Sequence, residues 1–166
     1  MAVFCVPRSD RELLGEIACA ERILLVGCPV CANISYAFHR NGELPIMRFT
    51  LTGIKPVYIR DEMLRISNLI WWKGVSVDFW LPNYPAALCA LDEGARSRLF
   101  NQGQASDAIL TLCCEAGKKN VESILPDKKV VEAMNAKGLL RTITKRRLGK
   151  IFFDRQAIDI LRFTFE

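Results

Sequence analysis

Two short apolar runs, Ile23-Leu24-Leu25-Val26 and Ala108-Ile109-Leu110-Thr111-Leu112, restrict the folds open to this chain more than any other feature. Each is continuous rather than alternating and of strand length. Such runs suit strands covered on both faces, as in a parallel sheet. Around them the pattern changes to helical spacing. Ser9-x-x-Glu12 has capping-box form and predicts a helix over 9–21, with Leu13, Leu14, Ile17 and Ala20 near one face. Residues 30–40 predict a second helix, ended by Asn41-Gly42, and 46–59 read as extended segments. Asp61 to Lys73 reads as a helix stopped by Gly74, Val75 to Trp80 as a strand, and Pro85 as the opening of a helix that runs to about Gln102. Beyond the second apolar run come a helix from about Gly117 to Leu125, a strand at Lys129–Val131, a strand at Ile151–Phe153 and a final helix at Asp154–Phe163.

This alternation predicts an α/β fold: a Rossmann-like, mostly parallel sheet with right-handed crossovers and helices on both faces. The 166 residues are expected to form one α/β domain, with 137–166 as a basic C-terminal segment. A chain of this size buries roughly two thirds of its unfolded surface, so it needs neither disulfides nor a structural metal to stay folded.

No apolar run approaches the ~20 residues that span a bilayer. The opening MAVFCVPRSD lacks the basic, apolar and small-residue regions of a secretory signal, so a cytoplasmic location is expected. In that compartment the seven cysteines do not read as a disulfide framework. Metal binding, redox exchange and simple burial remain open. The excess of 23 basic over 18 acidic residues, net +5, favours anionic ligands. Arg141, Lys145, Arg146, Arg147 and Lys150 form a basic stretch without an acid, which reads first as a solvated face. Nucleic acid is not an expected partner, because no stacking aromatics are interleaved with these charges. No G-x-G-x-x-G follows the first run, so dinucleotide binding has no motif.

In open α/β sheets, ligands bind at the carboxyl ends of the strands. Both apolar runs end there in cysteine pairs, Cys28-Pro29-Val30-Cys31 and Cys113-Cys114, so the two strand ends are expected to lie side by side. Cys28 and Cys31, two residues apart at a helix start, suit tetrahedral zinc, an iron–sulfur cluster or a reversible disulfide equally well. Cys113 and Cys114 are adjacent and point opposite ways, so at most one is a natural ligand. His39, the single histidine, reads as a surface or satisfied core residue. Of the adjacent Trp71 and Trp72, one indole is expected in the core and the other exposed.

The stretches Ile23-Leu-Leu-Val-Gly-Cys-Pro-Val-Cys-Ala32, Ser106-Asp-Ala-Ile-Leu-Thr-Leu-Cys-Cys-Glu-Ala-Gly117 and Leu125-Pro-Asp-Lys-Lys-Val-Val-Glu-Ala-Met-Asn135 resemble the methylenetetrahydrofolate reductase C-terminal-domain-like family. These are small cysteine-rich accessory subunits of anaerobic one-carbon metabolism. The resemblance implies zinc or an iron–sulfur cluster held by Cys28, Cys31 and Cys114, with Cys113, Cys89 or His39 as candidates for a fourth ligand. It also implies a protein partner, a one-carbon or corrinoid enzyme subunit. The family's third cysteine falls at Ser35, and its terminal cysteine cluster has no counterpart in the basic tail, so this chain resembles a degenerate member.

Three functions follow as expectations. The first is a non-catalytic metal or iron–sulfur accessory protein. The second is a thiol–disulfide oxidoreductase with Cys28 as nucleophile and Cys31 as resolving thiol. The third is a metal-free binding module whose cysteines are inert packing.

Overall fold

Both apolar runs are strands, and they are direct neighbours. The computed structural model describes residues 2–40, 43–45, 55–83, 86–148 and 150–162. The chain order is β1 (Ala2–Pro7), α1 (Asp10–Glu16), β2 (Arg22–Gly27), α2 (Cys31–His39), β3 (Leu44–Pro45) and α3 (Val57–Trp71). It continues with β4 (Ser76–Trp80), α4 (Glu93–Gln104), β5 (Ala108–Leu112), α5 (Glu115–Ile124), β6 (Lys129–Glu132), β7 (Met134–Arg147) and β8 (Lys150–Arg162).

Strands β4, β2, β5 and β6 form a parallel sheet in that spatial order. From β2 the chain moves outward to β4, then returns past β2 to β5 and continues to β6. The direction of travel therefore reverses between β2 and β5, which opens a crevice at their carboxyl ends. The centre of this sheet is dry. Ile23, Leu24, Leu25, Ile109, Leu110 and Leu112 are fully buried, against Ile59, Ile66 and Ile70 of α3 and Leu99 of α4. Each such side chain contributes about 1.5–3 kcal/mol from leaving water.

The sheet is not mostly parallel across the whole fold. Strands β1, β7, β8 and β3 form a second, antiparallel sheet in that order, so the Rossmann-like expectation holds for only one of two sheets. The expected final helix at Asp154–Phe163 is instead strand through Arg162, with Phe163 outside the described residues. The spacing of Ile158 and Leu161 mimics a helix. Pairing decides otherwise: Ile158 sits opposite Thr142 and Ile160 opposite Leu140, and β-branched residues fit that pleated surface. The basic stretch is thus part of a long hairpin, with Arg141 and Lys145 exposed and Lys150 ion-paired to Glu43 at 2.6 Å.

Other boundaries move for local reasons. The Ser9–Glu12 capping box is present, but α1 stops at Glu16. Helix α3 starts earlier than Asp61, at Val57, where the buried Asn33 side chain accepts the Ile59 N–H at 3.1 Å. Helix α4 starts at Glu93 because Asp92 caps it, accepting the Ala95 N–H at 2.7 Å. Helix α5 starts at Glu115, two residues before Gly117. The expected stop at Asn41-Gly42, the extended stretch over 46–54 and the start at Pro85 lie outside the described residues. Trp71 and Trp72 are both exposed, at 65% and 79%, and stack edge to face on each other rather than dividing between core and solvent. No helix among the described residues is long and apolar enough to cross a membrane.

The two long strands of the hairpin approach most closely at Gly138, where a Cβ would stand 2.3 Å from the backbone oxygen of Leu161. Backbone must move to admit it. Gly138→Ala is therefore expected to destabilise the protein by about 1–3 kcal/mol in urea denaturation, the usual cost of overpacking. An unchanged midpoint would show that the hairpin accommodates the methyl group freely.

Candidate functional site

The parallel register pairs Val26 with Thr111 and Gly27 with Leu112, so Cys28 and Cys113 leave adjacent strand ends together. The Cys28 N–H donates to the Leu112 carbonyl at 2.9 Å and extends the ladder one step further. The expected juxtaposition of the two cysteine pairs is present. From there the chain turns into α2 at Cys31 and into α5 after Cys114, which is the N-cap residue of α5 in extended conformation.

Alternation separates Cys113 from Cys114 as the sequence implies. Cys113 is turned into the core, where a Cβ on Gly117 would lie 3.0 Å from its Cβ and 3.1 Å from its Sγ. Glycine at 117 is what lets the first turn of α5 sit this close. Burial, then the neighbouring Cys28, hold the Cys113 thiol well above its usual range, so it stays protonated. Cys114 instead faces a cleft.

The cleft has a volume of about 740 Å³ and lies between the start of α5 and the second sheet, with Val3, Glu132, Asn135 and Lys137 among its walls. Cys114 is only 4% exposed, at its floor. Cys31, half-buried at the start of α2, has its thiol beside Cys114. This partner is the main reason the Cys114 thiol is lowered to about 6, and the backbone N–H groups of Gly117 and Ala116 add to it against the opposing effect of burial. The proton kept by the pair stays on Cys31, whose own ionisation is driven far upward by Cys114 and by burial. A lowered thiol beside a raised one favours a state with one thiolate and one thiol.

One cysteine of this cluster escaped the sequence reading. Cys5, fully buried on β1, comes from the antiparallel sheet and lies near Cys114 and Cys28, its thiol raised to about 12 chiefly by burial. Its N–H donates to the Ser35 hydroxyl at 3.0 Å, and that hydroxyl donates in turn to the Cys31 carbonyl at 2.9 Å. Ser35 therefore ties α2 to β1. His39 makes a second tie, with Nε2 at 2.9 Å from the Cys5 carbonyl and its ring beside Phe4. Both nitrogen and hydroxyl are occupied in joining the sheets. Cys19 and Cys89 are both exposed, and Cys89 is close enough to feel Cys114 and Cys28.

Zinc or an iron–sulfur cluster needs sulfurs gathered about one point, since metal–sulfur bonds are only ~2.3 Å long. Among the described residues no three His, Cys, Asp or Glu side chains are placed to hold a metal ion. Cys28, Cys31, Cys113 and Cys114 do not fit such a group as arranged: two sulfurs form a pair, and Cys113 turns away. Comparison with family models, with curated proteins and with solved structures found no match to this chain.

The chemistry predicts an inversion of the usual order of thiol labelling. With limiting iodoacetamide at pH 6.5–7, near the range set by the lowered thiol, Cys114 is expected to be alkylated before Cys19, although Cys19 is far more exposed. Peptide mapping checks this; prior labelling of Cys19 would show that Cys114 carries no thiolate.

Proposed function

We propose that this chain is a thiol–disulfide exchange protein in which Cys114 is the nucleophile and Cys31 the resolving thiol. The observation that supports this reading is that Cys114 lines an open cleft with the Cys31 thiol beside it. It is preferred to the Cys28–Cys31 pairing suggested by spacing because Cys114 lines the cleft and Cys28 is not among the lining residues.

The reaction balances without a metal. The Cys114 thiolate attacks one sulfur of a disulfide, its S–S bond breaks, and one thiolate leaves. A mixed disulfide now occupies Cys114. The thiolate negative charge that disfavoured ionisation of Cys31 has gone, so Cys31 loses its proton to the leaving thiolate or to water. Its sulfur attacks Cys114, forms the Cys31–Cys114 disulfide and releases the second thiol. Two electrons pass from the protein pair to the incoming disulfide. Reversal of the same steps oxidises two small thiols.

A second reading, a zinc or iron–sulfur accessory subunit with Cys28, Cys31 and Cys114 as ligands, is favoured by the gathering of Cys28 and Cys5 around the pair. It requires rearrangement of the sulfurs or a donor from a partner. The link to a one-carbon or corrinoid enzyme rests on the resemblance alone.

One preparation separates the two. Protein purified without oxygen is expected to be metal-free, and mild oxidation should join Cys31 to Cys114, with a potential in the range of about −270 to −120 mV. Cys31→Ser should arrest the reaction as a mixed disulfide on Cys114. Stoichiometric zinc or iron that disappears in Cys28→Ser would overturn the exchange reading in favour of the metal one.

A further inference from the structure

The depth of the thiolate and the charges around it narrow its substrate. We propose that the cleft over Cys114 accepts a small, amino-acid-derived disulfide, and that Lys137 binds the carboxylate of that substrate. The proposal rests on the exchange reading above and adds the substrate class to it.

Size comes first. Cys114 lies almost wholly below the surface, in a cleft whose volume of about 740 Å³ falls within the range of small-molecule sites. A disulfide on the surface of another protein cannot bring its sulfur to that floor unless it is carried on a protruding loop. A free disulfide of two amino-acid units can enter, with one half left over to fill the walls.

Charge comes second. Glu115 on the rim is paired with Lys119 at 3.4 Å, one turn along α5. Glu132 is paired with Lys118 at 3.7 Å. Each wall carboxylate thus has its cation. Lys137, exposed on β7, is the cleft cation that no carboxylate of the described residues pairs with. Asn135, on the same strand, also lines the cleft, where its amide can donate to the same carboxylate. The thiolate alone would draw cations inward, so a preference for a carboxylate-bearing substrate must come from these two residues.

Cystine and cystamine make a minimal pair, since they share the S–S bond and the ammonium groups and differ in the carboxylates. Insulin supplies a protein disulfide. The measurement is the second-order rate at which the reduced protein loses its Cys114 thiol, read by intact mass and peptide mapping after acid quench. Cystine is expected to react about fivefold or more faster than cystamine, the gain from one exposed ion pair, with insulin slowest. Lys137→Gln should abolish the preference, bringing the ratio of the cystine to the cystamine rate to about one, and Lys137→Arg should restore it. As position 137 is exposed, thermal midpoints should agree across the variants.

Cystamine reacting as fast as cystine, a cystine rate unaffected by Lys137→Gln, or insulin outpacing both would overturn the proposal while leaving the Cys31–Cys114 exchange standing. A protein that forms no Cys31–Cys114 disulfide with any of the three would overturn the exchange reading itself, and this proposal with it.

Discussion

The parallel pairing of β2 with β5 is the constraint on which the rest of this structure depends. It forms the dry centre of the larger sheet, from Ile23 beside Ala108 to Gly27 beside Leu112. It is also the point where the chain reverses its direction across the sheet. Strand ends at such a point are free of crossing connections, and two helices begin there. The sequence places cysteines at both ends. A single register therefore supplies hydrophobic stability and chemistry at once: shifting it by one residue would exchange Cys113 for Cys114 at the cleft and remove the thiolate.

The second sheet supplies one wall of the cleft. Strand β1 pairs with β7 and also lies against α2, where Ser35 and His39 bind the backbone around Cys5. Ser35 makes its contacts buried and His39 makes its contact from the surface, so together they fix the position of β1 against α2. Val3, Asn135 and Lys137 come to the cleft on this sheet, opposite the start of α5. Burial raises the Cys5 and Cys113 thiols and opposes the lowering of Cys114 by the neighbouring Cys31.

The central strands were legible in the sequence because strands buried on both faces must be continuously apolar, and the Ser9 cap because it satisfies orphan N–H groups within four residues. The opposite orientations of Cys113 and Cys114 were legible for the same kind of local reason. The antiparallel sheet was not. Its strands are half exposed, so their apolar residues fit period 2 and period 3.6 almost equally, and only the pairing of Ala2 with Leu140 and of Leu140 with Ile160 selects the strand. Cys5 was hidden for that reason, since nothing local brings β1 to the end of β2. Likewise the spacing Cys28-x-x-Cys31 is local, whereas the approach of Cys114 to Cys31 depends on the pairing of β2 with β5.

The claim at the centre of this account is that one thiol of the seven in the chain is ionised at neutral pH and that its partner is Cys31. Thiolate absorbance near ~240 nm, titrated from pH 5 to 11 on reduced, metal-free protein, measures it directly against the ordinary cysteine value of about 8.5. The account predicts a one-thiolate step near the lowered value of about 6, absent in Cys114→Ser and moved upward in Cys31→Ala. A titration in which no thiol ionises below about 8, or a low step that persists in Cys114→Ser, would contradict it.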